Sequence, residues 1–109
     1  MKRLIILLAA GMLPLTAHAA DLVIHNGSSW DFWYLYVSST SDSEWGDDQL
    51  ADDTLESSSK LTLQNIPCGN YDIKIVDEDG DDCTMNHVRI CGTTRLLFTD
   101  ELWTACIAM

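Results

Sequence analysis

The chain has 109 residues, with 17 acidic side chains against six basic ones and a formal charge of −11. That length supports one small domain and little more, and a surface this acidic repels nucleic acid and anionic lipid. Four Trp and three Tyr, with many β-branched residues, supply the core that a disordered acidic tail lacks.

Residues 1–19 read as a secretory signal. Lys2 and Arg3 form a basic start, Leu4 to Leu15 an apolar run, and Ala17-His18-Ala19 the small-residue pattern of a cleavage site. The run is too short for a bilayer core, which takes about 20 residues. Cleavage after Ala19 predicts one exported domain over 20–109, periplasmic or secreted, with no membrane span after processing. Loss of Lys2 and Arg3 takes the formal charge from −11 to −13 and leaves Lys60, Lys74, Arg89 and Arg95 as the basic residues. The expected partners are therefore cations or proteins of basic character.

The remainder alternates between short β-rich runs and turn-rich runs. Asp21 to His25 is a first strand, followed by Asn26-Gly27, a pair suited to a tight hairpin. Trp30 to Val37 is a second, with Phe32, Tyr34 and Tyr36 on one side and Trp33, Leu35 and Val37 on the other. Apolar groups on both sides predict a central strand. Residues 38–60 form a long polar connection in which Trp45, Leu50 and Leu55 are expected to fold back over the core. Further strands are expected at Leu61 to Ile66, Tyr71 to Val76, Cys83 to Ile90, Arg95 to Thr99 and Leu102 to Ile107. Seven short strands predict an antiparallel β-sandwich of immunoglobulin-like size.

An even number of cysteines in a small exported domain reads as disulfides. The intervals of 15, 8 and 15 residues between Cys68, Cys83, Cys91 and Cys106 fit no common zinc pattern. If the turn Asp77 to Asp82 is centred between Asp79 and Gly80, Val76 faces Cys83, Tyr71 faces Val88 and Cys68 faces Cys91. A directly opposed pair suits a disulfide, so Cys68–Cys91 is expected, and Cys83–Cys106 by elimination.

Acidic residues gather in three connections. Strands that simply run up and down would bring them to one end, where Asp47, Asp48, Asp77, Asp79, Asp81, Asp82 and Asp100 would offer oxygen ligands for calcium. The plainer reading is that Asp, Ser and Gly form turns and keep the domain soluble, with no cofactor. The aromatic run Trp30, Trp33, Tyr34, Tyr36, with Trp45, is either core packing or a partner-binding platform. His25 and His87 lack a recognisable catalytic setting; no G-x-S-x-G, H-E-x-x-H or glycine-rich phosphate loop occurs. The chain is therefore read as non-enzymatic: a module that binds a partner or serves the cell envelope. The alternatives are a calcium-binding module or a small inhibitor of a basic protein.

Several pieces together resemble a family of small, uncharacterised bacterial exported domains. They are Leu35-Tyr36-Val37-Ser38, the loop Trp45-Gly46-Asp47-Asp48-Gln49-Leu50, Asp53-Thr54-Leu55, and Cys68-Gly69-Asn70-Tyr71-Asp72-Ile73, completed by Asp79-Gly80 and Val88-Arg89-Ile90-Cys91. The resemblance implies a secreted β-rich domain with Cys68 paired to Cys91, and no activity. Cys83 and Cys106 are additions to that pattern.

Overall fold

A computed structural model describes residues 19–109; the expected signal segment lies almost wholly outside the described residues. The described chain forms six strands and one helix: β1 (Ala19–Gly27), β2 (Phe32–Ser39), β3 (Ser59–Pro67), β4 (Gly69–Asp77), β5 (Asp82–Ile90), β6 (Thr93–Thr99) and α1 (Asp100–Ile107). They make two three-stranded sheets, ordered β3-β1-β6 and β2-β4-β5. All pairings are antiparallel except β1 with β6. The all-β sandwich is as expected.

The core lies between the sheets. β1 brings Leu22 and Ile24, β2 brings Phe32 and Leu35, β4 brings Ile73 and Ile75, and β5 brings Cys83 and Ile90. Leu22 with Ile24 and Ile73 with Ile75 keep the period of two of a strand with one face turned inward, whereas Phe32 with Leu35 and Cys83 with Ile90 are an odd number of residues apart, because a bulge lies between the members of each pair. The two central strands are β1 and β4, not β2 as the sequence suggested. β2 is an edge strand of its sheet, and the connection after it runs back along its open side. There the Gln49 N–H donates to the Leu35 carbonyl, and Phe32 and Leu55 exchange backbone hydrogen bonds. Leu50 and Leu55 are buried in the core, each 6 % exposed. They thus close the edge that an unprotected strand would offer to other chains.

Asn26-Gly27 makes no hairpin. Both residues belong to β1, and β1 and β2 lie in different sheets. The Asn26 side chain is buried and spans the crossing. Its Nδ2 donates to the carbonyls of Trp30 and Leu55, and its Oδ1 accepts from the N–H and hydroxyl of Ser28. Gly27 is required by close approach: a Cβ there would stand 2.8 Å from the carbonyl oxygen of Phe98 in β6.

The expected seventh strand, Leu102 to Ile107, is helical. Thr99 caps α1, its Oγ1 accepting the Leu102 N–H at 3.2 Å. Asp100 and Glu101 occupy the first turn, where negative charge favours a helix. Trp103 is fully buried and Cys106 and Ile107 also pack on the core, an i, i+3, i+4 stripe that only a helix can bring to one side.

Both expected disulfides are present: Cys68–Cys91, with Cα atoms 4.4 Å apart, and Cys83–Cys106, at 5.3 Å. The register behind the first differs from the expected one. Near the turn Ile75, not Val76, faces Cys83. A bulge then inserts one extra residue into β5, with His87 at φ 58° and its N–H bonded to Asp72 Oδ1 at 3.0 Å. Beyond the bulge Tyr71 faces Val88, as expected, and the cysteines meet. Two disulfides point to an oxidising, extracytoplasmic environment. Among the described residues no helix is long and apolar enough to cross a membrane.

Candidate functional site

A second bulge decides which aromatic side chains face solvent. Phe32 pairs with Asp77 and Tyr34 with Val76, so Trp33 is the extra residue. Phe32 therefore goes inward with Leu35, while Trp33 and Tyr34 are both exposed, by 47 % and 43 %. The sequence expectation of Phe32 beside Tyr34, and Trp33 beside Leu35, fails for this reason. Tyr34 and Tyr36 follow one another along the outer face of β2 with ring centroids 6.5 Å apart and planes within 7°. Trp45 continues the row from the covering loop, its centroid 6.3 Å from that of Tyr36. The buried Ser38 hydroxyl donates to the Trp45 carbonyl and anchors the loop there. Of the expected platform residues, Trp30 does not take part: it precedes β2 and packs against the core.

A cleft of about 180 Å³ opens at the Trp45 end of this row. Its lining is Ser38, Asp42, Ser43, Glu44, Trp45 and Asp72. Asp72 is held in place by the Thr40 hydroxyl and the His87 N–H, each 3.0 Å from its Oδ1. Asp42 and Glu44 are exposed. Lys74 pairs with Tyr36 in register, next to the row, but does not line the cleft.

The acidic residues do not converge as expected. Of the seven, only Asp77, Asp79 and Asp81 place carboxylate oxygens within 4.8 Å of one another. Asp77 is buried and heavily engaged: Oδ1 accepts the N–H groups of Asp79 and Asp81 at 2.9 and 3.0 Å, and Oδ2 accepts the Trp103 indole N–H at 2.9 Å. Asp48 lies about three residues, or ~10 Å, further along β2. There its Oδ1 accepts from the Leu35 and Leu50 N–H groups, and Asp47 precedes it. Asp82 lies in β5 beside Val76, and Asp100 binds the Ser29 N–H and hydroxyl. The long connection runs beside β2 rather than standing at one end, which is why its carboxylates are separated from the β4–β5 turn.

Other concave regions occur among the described residues, one of them a cleft of about 260 Å³ bordered by Val37, Gln49, Asn65 and Tyr71. His25, Asn26, Ser58, Ser59 and Lys60 border a cleft of about 330 Å³. A larger groove, about 630 Å³, runs between the edges of β5 and β6 beside α1; Met85, Leu97 and Leu102 line it. His87 sits in the β5 bulge, in the sheet opposite His25.

No family model and no curated protein matches the chain. Among solved structures, it is similar to the NMR structure of the protein from Eubacterium rectale. The two share 14 % identity with a TM-score of 0.55, over 81 % of this chain and 84 % of that one. At this identity the likeness is one of fold.

Proposed function

We propose that this protein is an exported, non-enzymatic module that binds a protein partner through the aromatic row on β2. One observation carries the reading: Trp33, Tyr34, Tyr36 and Trp45 lie outside the core, and the bulge at Trp33 turns two of them to solvent. Large aromatic side chains with a polar tip are the residues that most often anchor interfaces. The two disulfides and the signal-like residues 1–19 support export. His25 and His87 lie in opposite sheets, which weighs against a histidine-based catalytic pair. The resemblance to exported domains without assigned activity favours the same view.

The test is affinity capture from the compartment into which the protein is exported, with wild type and the Tyr34→Ser/Tyr36→Ser variant. Both rings lie outside the core, so unfolding free energy should change by about 0.5 kcal/mol or less per site, while recovery of the specific partner is lost. Unchanged recovery by a folded variant would sink the proposal. The calcium alternative keeps only Asp77, Asp79 and Asp81 close together, and the three hydrogen bonds already accepted by Asp77 weigh against it.

A further inference from the structure

We infer that the cleft beside Trp45 receives the cationic end of a lysine or arginine side chain from the partner. This inference rests on the reading of the aromatic row as a binding surface and names the chemistry of what binds. The cleft is small: 180 Å³ would hold about six waters at ~30 Å³ each, which is room for one long side chain and too little for a folded ligand. The residues that line it include Trp45 and three acidic ones, Asp42, Glu44 and Asp72, of which Asp72 already accepts the Thr40 hydroxyl and the His87 N–H through Oδ1. The face of Trp attracts a cation through its ring quadrupole, and the carboxylates supply acceptors for ammonium or guanidinium donors. An anionic group would meet repulsion from all three. Lys74 lies beside Tyr36 in register, on the same sheet face as Asp72, and is not among the residues that line the cleft.

Charge on the larger scale acts in the same direction. Without its first 19 residues the chain carries −13, so a basic segment is drawn towards this surface and an acidic one is turned away. Tyr36 and Tyr34 extend the apolar wall away from Trp45, and would contact the aliphatic stem and the flanking residues. The occupant is therefore a basic, exposed stretch of a protein partner, with one cation seated in the cleft.

The experiment titrates the protein with the peptide acetyl-Lys-Lys-Lys-amide, followed by NMR at the Trp45 indole and the amides of residues 42–45. The comparison is the same peptide with every lysine ε-acetylated. The inference predicts saturable shifts centred on Trp45 and Glu44 for the cationic peptide, weakened by salt, and none for the acetylated one. The near-isosteric Asp42→Asn/Glu44→Gln variant should bind roughly three- to tenfold more weakly, the range expected for losing two exposed ion pairs. Equal binding of the acetylated peptide, an unaffected variant, or shifts centred on the Asp77–Asp81 turn would overturn it. So would chitotriose binding along the row in place of the peptide. Failure of the peptide alongside loss of partner capture by Tyr34→Ser/Tyr36→Ser would remove the cation and leave the aromatic surface. Unchanged capture by that variant would remove the surface itself.

Discussion

Asp77 is the residue on which one end of the sandwich depends. A buried carboxylate is costly unless its oxygens are bonded, and here three N–H groups satisfy it. Two come from its own turn and one from Trp103, whose ring lies 4.5 Å from that of Phe32 and 5.6 Å from that of Phe98. The indole thus fills the core and closes a hydrogen bond to a turn 26 residues away in sequence. Trp103→Phe keeps an aromatic ring but withdraws the donor from a buried charge. It should lower unfolding free energy by about 1.5–3 kcal/mol, read from urea denaturation. A loss below ~0.5 kcal/mol would show that Asp77 does not need the indole. None of this was legible in the sequence, because DEDGDD reads equally as a solvated turn or a metal loop until the indole is placed beside it.

Single-residue irregularities in the strands explain most of the distance between sequence and structure. The hairpin arithmetic predicted Cys68 opposite Cys91 from a turn centred one half-residue away from the real one. The bulge at His87 added the compensating residue, so the pairing came out right while Val76–Cys83 came out wrong. The bulge at Trp33 similarly moved Phe32 into the core and Trp33 out of it. A bulge leaves no clear mark in alternation, since it shifts the pattern by one without changing composition. α1 was hidden differently. Leu102 to Ile107 is rich in residues common in strands, and eight helical residues give only one repeat of the Trp103, Cys106, Ile107 stripe.

The bridges themselves also act at the level of elements: Cys68–Cys91 joins the far ends of β4 and β5, and Cys83–Cys106 fastens α1 to β5. Both span 23 residues, so each should restrict the unfolded chain equally, by about 3 kcal/mol. Cys83 is fully buried, whereas Cys91 is exposed. Cys83→Ser/Cys106→Ser should therefore cost more than Cys68→Ser/Cys91→Ser, because it also leaves a hydroxyl in the core. Equal losses in the two denaturation curves would contradict this.

At the scale of the molecule, two thin sheets enclose a modest core, and each open side is handled separately. The connection 40–58 covers the side of β2 with Leu50 and Leu55, and α1 covers part of the side between β5 and β6 with Trp103. A domain this small keeps a narrow stability margin, so cross-links matter to it more than to a larger one. The fold class was readable from strand-length runs and turn residues. The aromatic run was readable only as a choice between core and platform, because placing its side chains required knowing that β2 is an edge strand and where its bulge falls. What remains outward is an aromatic row with a cleft lined by acidic residues at one end, on a domain of strongly negative net charge.

The most direct test is the covalent state of the protein as the cell makes it. Mass spectrometry of material purified without reductant from its native compartment, with peptide mapping, reads both the first residue and the cross-links. The expected result is a chain starting at Ala20, with the mass deficit of two disulfides and linked peptides containing Cys68 with Cys91 and Cys83 with Cys106. Four free thiols, a different pairing, or an intact leader would contradict it.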